Sequence, residues 1–204
     1  MELKELEQEQ LEFAKKVVKK DDFLKLELIG GIDTGFKFNK VLCSVVVCDK
    51  EMNILEKHII VNNCELAYTP NFRALRELDI MIETYNKLTK KPDVLLVNAS
   101  GILHPRRLGL ASHLGVMLDI AIIGITKKLL CGKIKGDDVI IDNEVLGKAV
   151  LTKEKSKPVF VSIGHKISLD KSVEIIKKCI RTPHKMPEPL HLAHKLVKKN
   201  MKKY

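Results

Sequence analysis

The chain has 204 residues, 45% of them apolar, with no tryptophan, three tyrosines and six phenylalanines. That composition excludes a disordered chain and requires a core built largely from Ile, Leu and Val. Lys and Arg number 36 against 26 Asp and Glu, a net charge of +10, which favours an anionic partner, nucleic acid foremost.

The first element is a predicted helix over residues 1–20, where Leu3, Leu6, Phe13 and Val17 form one apolar stripe between Glu and Lys. Its opening, "MELKELEQEQ", has no apolar signal core. Three strand-type runs follow at Leu26–Thr34, Val41–Cys48 and Ile54–Val61, with separators ("FKFNK" and "DKEMN") short enough for hairpin turns. A helix is predicted from about Asn71 to Leu88, where Ala74, Leu78, Met81, Tyr85 and Leu88 recur at helical spacing. "DVLLV" and "AIIGI" are continuous apolar runs of the kind found in interior parallel strands, and Leu108–Leu118 suits a crossover helix between them.

A hairpin over Val139–Leu151, turning at "DNE", comes next. "PVFVSIG" is a further strand, Leu169–Ile180 a helix, and a last helix starts near "MPEPL". The longest nearly apolar stretch, Leu114–Ile125, is broken by Asp119 and too short to span a bilayer. Cys43, Cys48, Cys64, Cys131 and Cys179 contain no C-x-x-C pair and read as reduced, mostly buried thiols of a cytoplasmic protein, not as a zinc site. No repeat or linker divides the chain, so residues 1–204 read as one domain. An antiparallel meander joined to parallel strands through helices predicts a mixed sheet with helices on both faces.

Ligands of open α/β sheets bind beyond the carboxyl ends of the strands. Three apolar runs end there in a polar residue: Asp33, Asn98 and Lys127. If those strands are neighbours pointing the same way, the three side chains converge. Glu77 borders the apolar stripe of its helix and can join them. His194 lies on the buried stripe of the last helix, with Leu190, Ala193, Val197 and Met201, while Lys195, Lys198, Lys199 and Lys202 point elsewhere. A carboxylate at a strand corner, an acid early in a helix or a lone core histidine each has a purely structural explanation. Their convergence on one point would not.

The segments "GIDTGF", "AYTPNFRALRE", "NASGILHPRRLGLASHLG", "IGITKKLLCGK", "PVFVSIGH" and "MPEPLHLAH" resemble the endonuclease V family in order and spacing, from about Leu28 to the C-terminus. The resemblance implies a ribonuclease H-like fold: a mixed sheet with three antiparallel strands followed by parallel strands. It implies a Mg²⁺-dependent enzyme, with Mn²⁺ as an alternative ion, that cuts DNA or RNA 3′ to inosine, the product of adenine deamination. Under it, Asp33 is the central metal-binding aspartate and Glu77 the acid of an "LRE" motif. Lys127 lies near the scissile phosphate, His194 near the metal and His104 near the cut strand. Tyr68, Thr69 and Pro70 match the wedge that enters the strand beside the lesion. Ala99 and Gly101 border the base pocket, and Arg106 and Arg107 line a basic groove. A monomer is expected.

The chain departs from the family pattern at several places. Asn98 stands where the family has a second aspartate, and Ala99 where it has glycine. Asn71-Phe72-Arg73 follows the wedge where Gly-Leu-Leu is usual. An amide offers Mg²⁺ a carbonyl oxygen without charge. Losing one unit charge about 4 Å away costs roughly 2–4 kcal/mol after rehydration, or tens to about a thousandfold in metal affinity. Two readings follow: a nuclease with an altered metal shell, and a family member that binds nucleic acid without cutting it.

Overall fold

The computed structural model describes residues 3–67 and 69–204. The elements in chain order are α1 (Leu3–Ala14), β1 (Ile29–Lys37), β2 (Lys40–Cys48), β3 (Ile54–Asn63), α2 (Ala74–Asn86), β4 (Val94–Val97) and α3 (Leu110–Leu118). They continue with β5 (Ile122–Thr126), β6 (Lys133–Lys135), β7 (Asp138–Ile141), β8 (Glu144–Val150), β9 (Val159–His165), α4 (Leu169–Lys178) and α5 (Glu188–Met201).

All the strands join one nine-stranded sheet in the order β3-β2-β1-β4-β5-β9-β8-β7-β6. The meander β1–β2–β3 is antiparallel, and β1, β4 and β5 run parallel at the centre. This is the mixed sheet expected from the sequence. Residues alternate across it, so one buried cluster (Ile32, Leu95 and Val97 with Leu78, Met81 and Leu114) packs under α2 and α3. The other (Ile29, Leu96, Ile123 and Val161 with Ile175 and Leu190) packs under α4 and α5.

Several boundaries differ from expectation, and three of them are set by long-range pairing. The helix at the N-terminus ends at Ala14, not near residue 20, because the backbone of Val18 bonds to the end of β9: its N–H donates to His165 Nδ1 and its carbonyl accepts from Lys166. Strand β1 starts at Ile29, since the N–H groups of Glu27 and Leu28 donate to the Asp93 carboxylate. It then runs on to Lys37, because β2 pairs with it as far as Lys37↔Lys40. Asp33 therefore lies inside β1 and not at its end. The parallel ladder with β4, however, stops at Ile32↔Val97, so on that side Asp33 is the first residue past the ladder.

β6 was not anticipated. Three exposed residues, Lys-Ile-Lys, carry no strand signal of their own, and their order comes from pairing with β7. The β7–β8 hairpin turns at Asp142-Asn143, both with positive φ (52° and 62°), the two-residue turn that suits the twist of paired strands.

Helix α5 lies directly on β1. A Cβ on Gly31 would come 2.3 Å from the carbonyl carbon of Pro189, and one on Gly35 would meet Val197 Cγ1 at 2.6 Å. Both glycines share a strand face with Asp33, so the helix settles onto the sheet on either side of that carboxylate. Ser44, the cross-strand partner of Asp33, donates its hydroxyl to the carbonyl of Ala193 at 2.7 Å and fixes the helix at the residue before His194.

Candidate active site

Asp33 is 2% exposed, and both of its oxygens are engaged. His194 Nδ1 donates to Oδ2 at 2.6 Å, and Asn98 Nδ2 donates to Oδ1 at 2.9 Å. Three elements meet here: Asp33 from β1, Asn98 from the residue after β4, and His194 from the second turn of α5. The amide turns its nitrogen towards Asp33 because a carboxylate can only accept.

Glu77, 3% exposed, reaches the same end of the sheet from the α2 face. Thr34 follows Asp33 and so points to that opposite face, where its hydroxyl donates to Glu77 Oε2. The other partner is Arg73, one helical turn before Glu77. Its Nε donates to Oε1 at 2.8 Å and Nη2 to Oε2 at 2.7 Å, a two-pronged pairing set by the i, i+4 spacing. Its Nη1 reaches the backbone carbonyl of Asn98 at 3.3 Å. Asp33, Asn98 and His194 are thus joined directly, and Glu77 is tied to that end of the sheet through Thr34 and through Arg73, which reaches the Asn98 backbone.

Lys127 is exposed immediately after β5, which runs beside β4 in the same direction. It opens onto the same end of the sheet, and among the described residues no hydrogen bond links it to the Asp33 group. His104 is buried at 2% exposure. Its Nε2 faces the carbonyl of Asn71 at 3.2 Å, and its Nδ1 accepts from the Arg106 N–H at 3.3 Å. Burial, reinforced by the nearby Arg106 charge, pushes its pKa down to about 4, so the ring is neutral at physiological pH.

The turn at residues 69–72 is closed by Phe72 N–H donating to Thr69 O at 3.1 Å, with Pro70 and Asn71 between them. Asn71 has φ +65°, the left-handed position that glycine or asparagine tolerates, so the turn survives the replacement of glycine. Thr69 is half-buried and Pro70 exposed; Tyr68 lies outside the described residues.

The expected pocket and groove residues are held more tightly than anticipated. Ala99 is 1% exposed. A Cβ on Gly101 would overlap the Ile163 carbonyl, so this glycine serves close packing of the loop on β9. Arg106 Nε donates to Gln10 at 2.5 Å, its Nη1 pairs with Glu7 at 3.0 Å, and its guanidinium stacks on Phe72. Arg107 pairs with Asp142 at 2.9 Å.

Gln10 was not anticipated. From α1 it donates to the Asn71 carbonyl at 3.0 Å while accepting from Arg106. The signal was present, because Gln10 is a polar residue on the Leu3–Leu6–Phe13–Val17 stripe. Gln10, Asn71, Arg73, Ser100, His104 and Gly109 line a cavity of about 40 Å³, room for water and too small for a purine.

Cys43, Cys48 and Cys179 are buried, Cys64 and Cys131 half-buried, and all five thiols are free. Among the described residues, no helix is long and apolar enough to cross a membrane.

The donor set suits a hard divalent ion in kind: two carboxylates, an amide oxygen once Asn98 turns, and an imidazole. As it stands, no three His, Cys, Asp or Glu side chains among the described residues are grouped to hold a metal. Asn98 is neutral, and Glu77 is paired with Arg73.

Two buried carboxylates past a central parallel ladder, one of them held by a histidine, define an α/β protein with a candidate acidic site. The endonuclease V family model matches residues 11–195. Endonuclease V of Dictyoglomus thermophilum is 42% identical over 199 residues, spanning 93% of this chain and 87% of the relative. The crystal structure of human ENDOV superposes with a TM-score of 0.89 at 26% identity, covering 99% of each chain. That of Ciona intestinalis endonuclease V, in complex with a 24-mer DNA containing an inosine followed by a ribo-adenosine, gives 0.89 at 30% identity over 98% of each. The chain belongs to the endonuclease V family.

Proposed function

We propose that this protein is a metal-dependent nuclease of the endonuclease V type, hydrolysing a phosphodiester 3′ to inosine in DNA or RNA. The observation that supports the reading is the hydrogen-bonded group of Asp33, Asn98 and His194 past the β1–β4 ladder, with buried Glu77 held beside it through Thr34 and Arg73. These four residues would hold a Mg²⁺ or Mn²⁺ ion, which supplies charge neutralisation at the phosphate and a more acidic water. Asp33 fixes the His194 ring with Nδ1 as the donor, which leaves Nε2 as the ring nitrogen that would face the ion. Lys127, exposed at the same end of the sheet, adds positive charge against a phosphate oxygen. The small cavity beside Arg73 and His104 is the place for the base, and admitting one requires the Asn71–Arg73 turn to move.

The test is cleavage of single-stranded DNA and RNA carrying one inosine, with Mg²⁺ or Mn²⁺, by wild type, Asn98→Asp and Asp33→Ala. Cutting by wild type and by Asn98→Asp, lost in Asp33→Ala, supports a nuclease that tolerates the amide. A second reading, a family member that binds nucleic acid without cutting, is favoured by the neutral Asn98 and by the Arg73–Glu77 pairing. It is established if wild type is inert while Asn98→Asp cuts. Equal binding of inosine and adenosine strands would remove the base specificity.

A further inference from the structure

We propose that Arg73 is a built-in cation that competes with the divalent metal ion for Glu77. The inference rests on the metal-dependent reading above. Glu77 is nearly fully buried, and both of its oxygens face the Arg73 fork at 2.7 and 2.8 Å. A carboxylate held by a guanidinium in two-pronged geometry has its charge and most of its acceptor sites already engaged, so a metal competes with the fork for Glu77.

The site's charge points the same way. Asp33 and Glu77 contribute two negative charges, and Arg73 cancels one. Relative to a site with aspartate at position 98 and leucine at position 73, this chain is two charges more positive. Arg73 Nη1 also donates to the backbone carbonyl of Asn98, which ties the fork to the strand end that carries the neutral amide. Arg73 can leave that position without unfolding the helix. It is the N-cap of α2, and its side chain is about one third exposed (36%), so it can swing outwards.

The experiment is calorimetric titration of Mn²⁺ alone into wild type, Arg73→Leu, Glu77→Gln, the Arg73→Leu/Glu77→Gln double variant and Asp33→Ala. Thermal unfolding checks that each is folded, and Arg73→Gln serves as a second neutral variant. Arg73→Leu is expected to bind Mn²⁺ at least about tenfold more tightly than wild type, and the gain is expected to vanish in the Glu77→Gln background. Equal or weaker binding by both neutral variants, with binding still lost in Asp33→Ala, overturns the competition and leaves the metal reading in place. An undiminished gain in the Glu77→Gln background overturns it too, since Arg73 would then act only as a distant charge. Absence of Mn²⁺ binding in wild type and in both neutral variants overturns the competition and the metal reading together.

Discussion

His194 reaches Asp33 across 161 positions of sequence, Nδ1 to Oδ2 at 2.6 Å, because the strand beneath the helix has no side chain at Gly31 or Gly35. The two glycines are spaced so that the carboxylate between them is the only side chain rising on that face from residue 31 to residue 35. The contact is therefore a product of backbone approach as much as of the two polar groups.

Replacing Gly31 by alanine should separate the pair. The new Cβ would press on the backbone of Pro189 and Leu190 at 2.3–2.4 Å, which cannot rotate away. We expect a loss of about 2–3 kcal/mol in denaturant unfolding, with reduced Mn²⁺ affinity. Gly35→Ala meets the side chains of Val197 and Met201 and should cost less, about 1 kcal/mol. If the two changes cost the same, close helix approach at Gly31 is not what holds α5 in place.

Asn98→Asp should couple stability to metal. Asn98 Nδ2 now donates to Asp33 at 2.9 Å, and a carboxylate there would set two negative charges against each other. In EDTA the variant should melt about 4–8 °C below wild type, for a cost of about 2 kcal/mol. Saturating Mg²⁺ or Mn²⁺ should return most of that difference. A melting point that metal raises no more than in wild type would mean that position 98 does not face the ion.

His104 predicts a pH dependence. Burial holds its imidazole at about 4, below the value near 6.5 expected in the unfolded chain. The unfolded state then binds the proton first, so the stability of neutral His104 is full above about pH 6.5 and is lost as pH falls towards 4. The contribution is about 3 kcal/mol across that window. Unfolding free energies of wild type and His104→Gln between pH 7 and pH 4 should differ in slope by this amount. Parallel curves would refute it.

Gln10→Ala should loosen the turn at residues 69–72. The substitution strips a donor from the Asn71 carbonyl and an acceptor from Arg106 Nε, and Arg106 Nη2 is already buried with no hydrogen-bond partner among the described residues. We expect a cost of about 2 kcal/mol and faster hydrogen exchange at Phe72 and Arg73. Unchanged exchange there would show that α1 does not hold the turn.

The sequence by itself determined the strands and helices whose apolar pattern is local. The runs at Val41–Cys48, "DVLLV" and "AIIGI" became β2, β4 and β5, and the spacing of Leu78, Met81 and Tyr85 became the buried face of α2. It also marked the polar residues at strand ends, which is why Asn98 and Lys127 were legible as candidates. Tertiary structure alone decided how far β1 runs, since its last residues are ordered by β2, and whether Lys133–Lys135 is a strand at all. It also decided the partners of the charges. The i, i+4 spacing lets Arg73 close on Glu77, but nothing local tells that Arg73 also reaches Asn98, or that Gln10 bridges Arg106 to Asn71. Periodicity says which side of an element is buried, but a hydrogen bond needs two groups within about 3 Å, and that distance is fixed only when separate elements pack.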